Sequence, residues 1–461
     1  MKAAKVILII VTLLVAVVVI LAAGGLYFAN RYIQSPQFKE QVLASSRQEL
    51  GADVRIDELQ ASLFSGVTLR GVTISNPTNF AGNLLTADSF VLHYRLLPLL
   101  QRRVEIEQLS LDKPVITLTR NDGEWNYETL GAKKSGETKP SKATPPSDNA
   151  APSSKSEMTA PLDLVLSKFA ITHGAVSILS DKDKPLLKLE GINLSSSASL
   201  AGGKLTGTGK TGVDKVSVAD KLFVQQLAAP VAISSDQIKL APLSGKVADG
   251  ALNGDATMEL SPTFAYAANV QVKDADMAKL LSEAGTKQVL SGKLQLTTSL
   301  KGTGGLATMA GNGRAEIKNG KLMTIPLMNL LATLLQVPEL RELQFSECVL
   351  EYSITNNTMQ TPVIRVTSPQ IQISGKGVVS LEDYSLNHDL TIAFTKGTLD
   401  RTPKEVQNLF TARQDGSLAL DFRVWGPYDS PKTDLQDRIL KGVGKQLLDR
   451  GLQEGLQRLL K

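Results

Sequence analysis

The feature of this 461-residue sequence that most constrains its fold is a period-two alternation of apolar and polar residues, which runs through most of the chain from Val54 onward. In residues 266–272, 390–394 and 418–424, for example, an apolar side chain stands at every second position. Alternation of this kind is typical of strands with one buried and one solvated face. We therefore predict a mainly β protein, an elongated antiparallel sheet of roughly 25 strands with few helices.

An apolar sheet face must be covered in water, and the sequence has little helical material to cover it. The sheet either folds onto itself as a sandwich or curls into a groove-like trough that holds apolar ligands, and periodicity alone favours the sandwich. The candidate lining of a trough is the set of alternating apolar residues Ile116, Leu118, Met258, Leu260, Val270, Val272, Ile371, Ile373, Leu390, Ile392, Phe394, Leu418, Leu420, Phe422 and Val424.

The N-terminal segment predicts a membrane anchor. Residues 6–28 contain no charged side chain, and such a run is long enough to cross a hydrocarbon core of about 30 Å as a helix. Lys2 and Lys5 precede this run, which places the N-terminus in the cytoplasm. The alternative is a cleaved signal peptide, whose apolar core is usually shorter. Both interpretations export the body of the chain.

Composition changes divide the chain into five regions. We predict a transmembrane anchor in residues 1–33, a helix and β region in 34–130, a disordered low-complexity linker in 131–160, an elongated β region in 161–430, and an amphipathic helix in 431–461. The linker is rich in Lys, Ser, Pro and Thr and has almost no apolar residues, so it cannot bury enough surface to offset its ordering entropy.

Three helices are predicted after the anchor. Ser35 can cap the first, Pro36 fits its first turn, and Gly51 ends it. A second, very apolar helix occupies about 325–336, and the C-terminal helix follows. The C-terminal leucine stripe can lie on a membrane or cap the sheet, and both uses stay open. Hairpin turns are expected at 252–255, 318–320 and 414–416, where Asn or Asp precedes Gly.

The sequence offers no catalytic constellation, and we predict a protein that is not an enzyme and needs no cofactor. The single cysteine, Cys348, excludes a disulfide framework within the chain. The three histidines are scattered, so no metal site is expected. The segment Gly207–Thr211 resembles the end of a phosphate-binding loop, but Lys204 stands where that motif needs glycine. A net charge of +5 that is spread along the chain gives no indication of nucleic-acid binding.

Several segments resemble the AsmA family of envelope proteins. They are the anchor followed by residues 29–33, then 71–80 (GVTISNPTNF), 114–126 (PVITLTRNDGEWN), 317–327 (IKNGKLMTIPL), 375–381 (GKGVVSL) and 422–432 (FRVWGPYDSPK). The resemblance implies a periplasmic protein held in the inner membrane, with a chorein-like N-terminal region and a β-sheet that curls into a hydrophobic groove. It also implies bridge-like phospholipid transfer toward the outer membrane, and it favours the trough over the sandwich.

Two functions are weighed from the sequence. The first is binding and transport of phospholipid along the groove, in support of outer-membrane integrity, and charged substitutions such as Ile392→Asp or Phe422→Asp should block it. The second is a non-enzymatic scaffold that assists outer-membrane protein assembly, with outer-membrane or periplasmic proteins as partners. The cargo and the oligomeric state are not specified by the sequence.

Overall fold

A computed structural model describes residues 35–130 and 163–438, apart from positions 63–65, 78, 102, 129, 262, 287–289, 305–307, 323–328, 330–331, 334, 403, 429 and 436. The predicted anchor, the linker at 131–160 and residues 439–461 of the predicted C-terminal helix lie outside these residues. The predicted start of that helix at 431 is wrong, because Lys432–Thr433 form a short strand. No helix in the described part of the chain is long and apolar enough to cross a membrane.

The described residues are mainly β, as predicted. The strands are β1 Val54–Ser62, β2 Gly66–Ser75, β3 Asn83–Arg95, β4 Arg103–Asp112, β5 Val115–Asn121, β6 Glu124–Trp125, β7 Asp163–Ser180, β8 Lys184–Ala201, β9 Lys204–Val218, β10 Leu222–Ser234, β11 Gln237–Val247, β12 Gly250–Glu259, β13 Ala265–Asp276, β14 Leu290–Thr303, β15 Ala310–Leu322, β16 Leu343–Thr355, β17 Thr358–Thr367, β18 Ile371–Ser380, β19 Ser385–Phe394, β20 Thr411–Ala412, β21 Leu418–Pro427 and β22 Lys432–Thr433.

Helices are few. They are α1 Pro36–Leu50, α2 Met277–Glu283 and α3 Lys404–Gln407, with short 3-10 helices at Leu97–Gln101, Asp181–Asp183 and Pro338–Glu342. The first predicted helix is confirmed with its ends: the Ser35 side chain accepts from the Phe38 N–H, and Gly51 ends the helix at φ 66°. Of the predicted helix at 325–336 only Asn329, Ala332, Thr333, Leu335 and Gln336 are described.

Contacts divide the chain into two compact units. Unit 1 comprises residues up to Asp220 together with Ala228–Ile238, and unit 2 comprises Lys221–Leu227 and the residues from Lys239 onward.

The sheet of unit 1 departs from the predicted antiparallel pattern at one place. β7 pairs in parallel with both β4 and β5, whereas β1, β2, β3, β8 and β9 join their neighbours in antiparallel register. Parallel neighbours need a long crossover connection. The low-complexity segment between β6 and β7 connects these parallel strands, so the sheet of unit 1 continues on both sides of that insertion.

A glycine in the left-handed conformation recurs in the sheet of unit 1, and Gly191 stands at a register shift between β7 and β8. Gly71 in β2 lies at φ +60°, Gly191 in β8 at φ +67°, and a Cβ on either would meet the Cβ of an aspartate, Asp57 or Asp214, at 2.9 and 2.8 Å. Each glycine lies in a Leu-x-Gly sequence whose next residue is Val or Ile. The sequence therefore contains a short structural repeat, because only glycine fits this conformation beside the carboxylate.

Asn126 of unit 1 is fully buried, and its side chain forms hydrogen bonds to two other segments of the chain. Its Nδ2 donates to Asn76 Oδ1 and to the Thr117 carbonyl oxygen, both at 2.8 Å, and its Oδ1 accepts from the Thr119 N–H at 3.1 Å. The hydrogen bond to Asn76 joins the segments 71–80 and 114–126, which carry two of the resemblances noted above.

We expect Asn126→Ala to lower the free energy of unfolding of unit 1 by about 1–3 kcal/mol, because three hydrogen-bonding partners lose their buried counterpart. The neighbouring exposed Asn121 is the matched control, and Asn121→Ala should change stability by less than about 0.5 kcal/mol. Urea unfolding followed by Trp125 fluorescence, in a Trp425→Phe background, measures both. Equal effects of the two substitutions would show that the buried hydrogen bonds of Asn126 do not stabilise unit 1.

In unit 2, strands β12 to β19 form an antiparallel meander, and β21 pairs with β19. Of the predicted hairpin turns, residues 414–416 do form one: Gly416 donates its N–H to the Arg413 carbonyl oxygen at 3.0 Å. The other two are wrong. Asn253 and Gly254 lie inside β12, and Asn319 forms a bulge inside β15 at φ 49°.

Candidate functional site

One aliphatic row crosses the sheet of unit 1. A row here is a set of residues, one per strand, that are register partners from each strand to the next. Row A is Val54, Ile74, Leu85, Ile116, Val176, Leu189 and Val216. Its six interstrand steps of about 4.8 Å give a length of about 29 Å. One bilayer leaflet contributes about 15 Å to the hydrocarbon core, so row A exceeds the depth of one leaflet.

Protein covers row A at one end. Leu43 and Leu50 of α1 pack with Val54, Ile74 and the other residues of the cluster over β1–β3. This cover follows from the spacing of the apolar residues along α1, which places them on one side of the helix.

Beyond Ile116 row A is only partly covered, although its last residue, Val216, is buried at 9% exposure. Val176 and Leu189 are half-buried and belong to none of the apolar clusters of the described residues. β8 packs against β7 and β9, and no described helix packs extensively on β8 or β9. An apolar stripe that begins beneath α1 thus continues onto a face that described protein atoms leave partly exposed.

A second row widens this open face. Leu118, Ile178, Leu187 and Val218 are register partners across β5, β7, β8 and β9, two residues along each strand from row A. Val218 is 37% exposed. The term "open face" is used below for Val176, Ile178, Leu187, Leu189 and Val218; Leu118 packs beside the cluster under α1, and Val216 is buried.

Unit 2 carries two longer rows. Row B is Ala275, Leu294, Ile317, Cys348, Val366, Ile373, Ile392 and Leu420. Row C is Leu252, Val272, Leu296, Ala315, Leu350, Ile364, Gly375, Leu390 and Phe422. Leu322 and Val366 pack against both apolar clusters of this unit, so its apolar face is continuous.

The structure separates the predicted lining residues into four groups. Ile116 and Leu118 pack beside the cluster under α1, and Val270 and Val272 belong to the cluster around Leu294. Met258 and Leu260 are exposed, at 41% and 36%. The largest group packs together in the C-terminal cluster of unit 2 and comprises Ile371, Ile373, Leu390, Ile392, Phe394, Leu418, Leu420, Phe422 and Val424.

The C-terminal cluster is closed by protein. Leu335, Leu340, Leu399, Phe410 and Leu435, from segments outside the sheet, pack on it. Ile392 is 1% and Phe422 is 6% exposed. The expectation that Ile392→Asp and Phe422→Asp would block transport in a folded protein therefore needs correction: a charge at either position would be buried without a partner and would unfold unit 2.

The opposite face of unit 2 is polar, as the alternation predicts. On β15, Arg314 pairs with Glu351 of β16 and Lys318 with Glu316, while Arg365 of β17 reaches Glu347 at 3.7 Å. These side chains alternate with Ala315 and Ile317 of the two rows. Exposed ion pairs of this kind add little stability, but they keep this face of the sheet in contact with water. The aliphatic face is the one that is buried.

Cys348 lies in row B between Ile317 and Val366. Burial raises the pKa of its thiol, with a smaller contribution from the Glu347 charge. Its position in the row makes it an apolar packing residue in the sheet.

His388 and Thr361 form a buried polar pair beside row C. His388 Nε2 and Thr361 Oγ1 lie 3.0 Å apart, and the two residues are 8% and 1% exposed. Burial lowers the pKa of His388 from its ordinary value of 6.5, against an opposing charge from Asp389. The folded protein therefore disfavours the imidazolium.

This lowered pKa predicts a pH dependence of stability. The unfolded chain takes up the His388 proton at higher pH than the folded chain, so stability is full above about pH 7.5 and falls as the pH drops through 6.5 toward the lowered folded pKa. His388→Gln should flatten this decline between about pH 7.5 and 5.5. Urea titrations followed by Trp425 fluorescence test it, and parallel curves for wild type and variant would contradict the assignment.

Residues 207–211, which resemble part of a phosphate-binding loop, lie within β9 rather than in a loop before a helix. The arrangement needed to bind phosphate at a helix N-terminus is therefore missing there. Among the described residues no group of three or more His, Cys, Asp and Glu side chains is placed to hold a metal ion.

Residues 1–229 match the AsmA family. The chain belongs to the AsmA family. The match covers the first anchor-like segment, α1, all of β1–β9 and part of β10, so row A and the open face lie in the AsmA-family region. Comparisons with curated proteins and with solved structures found no match. The resemblances at 317–327, 375–381 and 422–432 lie beyond the matched region of this AsmA-family protein.

Sequence reasoning missed the open face. Val176, Ile178, Leu187, Leu189 and Val218 were not among the predicted lining residues. Their strands do carry aliphatic residues at alternate positions, but a signal from one strand does not show which residues of seven strands line up. Only the register, including the parallel pairing of β7, joins them into rows.

Proposed function

We propose that this AsmA-family protein binds phospholipid through its aliphatic rows and carries it between the membranes of a bacterial envelope, in support of outer-membrane integrity. Residues 6–28 would anchor it in the inner membrane, with the body in the periplasm. The observation that carries the proposal is row A, an uninterrupted aliphatic row across seven strands that begins under α1 and crosses the open face at Val176 and Leu189.

The physical basis is non-directional burial of acyl chains. Each methylene removed from water contributes about 0.8 kcal/mol, so a chain that lies along Val176, Leu187 and Leu189 is held without specific polar contacts. Because successive residues of the row are similar aliphatic groups, moving the chain by one strand changes the binding energy little. Transport of this kind needs no catalytic residue, and we propose none.

The polar headgroup would stay outside the row. Charged pairs such as Lys188–Asp220 at 3.0 Å lie on β8 and beyond β9 near the open face, and Ser217 Oγ donates to Asp220 at 2.9 Å. A carboxylate or phosphate placed directly on Leu189 would lose hydration without gaining a partner. An acyl chain on the row with its headgroup in water is the arrangement that avoids this cost.

The test is the lipid content of the full chain. The protein is solubilised from a bacterial envelope in detergent, exchanged into a lipid-free detergent, and its bound lipid is extracted and quantified by mass spectrometry. We expect at least one phospholipid per chain to survive the exchange. Protein that is folded but carries no more phospholipid than an unrelated single-span membrane protein would contradict the proposal.

A scaffold for outer-membrane protein assembly is the second candidate, and one surface of unit 2 favours it. Tyr384, Trp425 and Tyr428 are 50%, 37% and 49% exposed, and the two tyrosine rings pack edge to face at 6.1 Å. Exposed aromatic residues are enriched in protein interfaces. If Trp425→Ala released a stoichiometric protein partner while phospholipid content stayed unchanged, a scaffold function would be favoured over lipid transport.

A further inference from the structure

The most exposed large apolar side chain of the described residues lies in the turn between β3 and β4. Leu97 is 80% exposed, twice the value of Val115 at 41% in the same unit. It begins the 3-10 helix Leu97–Gln101, whose sequence is LPLLQ. An exposed leucine in a turn composed largely of apolar residues contacts water at a cost that a bilayer or a partner would remove.

This turn lies at the end of unit 1 from which α1 starts. Leu96 packs on the cluster that contains Phe38 of the first turn of α1 and Tyr94 at the end of β3. Tyr94 Oη donates to the Ser62 carbonyl oxygen at 3.3 Å, which ties the end of β3 to the end of β1. Leu96 thus faces the protein, and the next residue, Leu97, faces away from it.

The chain leads from this end to the uncharged N-terminal run. α1 begins at Pro36 and the uncharged run ends at residue 28. The seven residues between them span at most about 25 Å when fully extended. A membrane crossed by residues 6–28 would therefore lie within that distance of the end of unit 1 that carries Leu97.

Charged residues flank the turn in a pattern that fits a bilayer surface. Arg95 pairs with Glu107, and Arg103 with Glu105 at 3.0 Å. The sequence from 95 to 107 has three arginines and two glutamates, an excess of one positive charge. Arginine side chains can keep their heads at the level of anionic headgroups while a neighbouring leucine enters the acyl region.

An apolar row begins at the base of the turn. Val104, Leu164, Leu200 and Leu205 are register partners across β4, β7, β8 and β9. Val104 and Leu164 also pack on the cluster that holds Leu96. A lipid that leaves a bilayer at Leu97 would meet an aliphatic row on β4, β7, β8 and β9, the last three of which carry the open face twelve residues further along β7.

We propose that the turn Leu97–Gln101 inserts into the periplasmic leaflet of the inner membrane, and that its partner is a phospholipid bilayer with anionic headgroups. The proposal rests on the membrane anchoring in the proposed function and adds the place where unit 1 contacts lipid. The insertion brings the row at Val104 to the leaflet from which acyl chains would be drawn.

The experiment uses the full chain in vesicles of phosphatidylethanolamine and phosphatidylglycerol. Because Cys348 is the single cysteine, a Cys348→Ser background allows one environment-sensitive fluorophore at Leu97→Cys. The matched control is Val115→Cys, whose partner Thr86 lies nine residues before Arg95 on β3, about 30 Å away at 3.3 Å per residue. We expect a blue-shifted, brighter emission at position 97 that lipid-borne quenchers reduce, and water-like emission at position 115.

Each other outcome overturns the proposal. Water-like emission at position 97 would show that the turn stays outside the bilayer. Equal quenching at 97 and 115 would show that unit 1 lies flat on the surface. A shielded label at 97 that persists in detergent with a bound protein would identify a protein partner. Phospholipid content measured on the same samples separates the two proposals, because lipid can be bound in the rows whether or not the turn inserts.

Discussion

Replacing Leu189 with glutamate is expected to remove bound phospholipid from the protein and leave it folded. Leu189 is half-buried in the open face, and in row A it lies between Val176 and Val216. The substitution loses the contacts of about three methylenes, each worth about 0.8 kcal/mol, and places a carboxylate where an acyl chain would lie. We expect at least a tenfold fall in retained phospholipid, since about 1.4 kcal/mol corresponds to a factor of ten.

Ser197 supplies the control on the same strand. Its neighbour Ser196 is buried and donates to the Thr208 carbonyl oxygen at 3.0 Å, whereas Ser197 is exposed on the other side of β8. Ser197→Glu therefore adds the same charge to the exposed side of β8, opposite the buried Ser196. It should leave both phospholipid content and vesicle-to-vesicle transfer unchanged. Loss of lipid in both variants, or in neither, would contradict binding on the open face.

The second large effect is on stability and concerns the C-terminal cluster. Phe394 is fully buried, and its ring packs edge to face on Phe410 at a centroid distance of 5.4 Å. We expect Phe394→Ala to lower the free energy of unfolding of unit 2 by about 3–5 kcal/mol, because the truncation leaves a cavity in a core that the surrounding segments close. Val378 is 37% exposed, and Val378→Ala should cost less than about 0.5 kcal/mol.

The two tryptophans of the chain make this measurement specific. Trp125 lies in unit 1 and Trp425 in unit 2. In a Trp125→Phe background, Trp425 fluorescence reports the unfolding of unit 2 in urea. An equal midpoint for Phe394→Ala and Val378→Ala would show that the cluster is not a packed core. In that case the nine predicted lining residues in it would regain the role of an open groove.

Local signals in the sequence predict much of the fold. The period-two alternation identifies the strands, and α1 is predicted at both ends because Ser35, Pro36 and Gly51 each have one favourable place in a helix. α2 was missed because seven residues hold too few turns for a periodic pattern. Its signal was Asp276, whose side chain caps the helix by accepting from the Lys279 N–H at 3.0 Å.

Turn positions were less predictable. Asn253-Gly254 has the composition of a hairpin turn but lies inside β12, because the turn before it is made by Ala248 and Asp249, both at positive φ. Alanine rarely adopts that conformation. The pairing of β11 with β12 places the turn at Ala248 and Asp249. The turn preferences of single residues do not show which strands pair.

The candidate site was only partly predictable for a different reason. Ile116 was predicted as a lining residue and does lie in row A, yet its partner Val176 is 60 residues away across the low-complexity insertion. Alternation shows that each residue faces the apolar side of its own strand. Which residues become neighbours depends on strand order and register, and whether they are covered depends on segments such as α1 that pack from elsewhere.

The most direct test of lipid binding is photocrosslinking in the native envelope. In the full chain, a photoreactive phenylalanine analogue is placed at Val176 on the open face or at the exposed Ser197 of β8, and cells are irradiated before the protein is purified. We expect phospholipid to be attached covalently at position 176 and not at position 197. A folded, membrane-anchored protein that gains no phospholipid at 176, or gains it equally at both positions, would contradict transport of lipid along these rows.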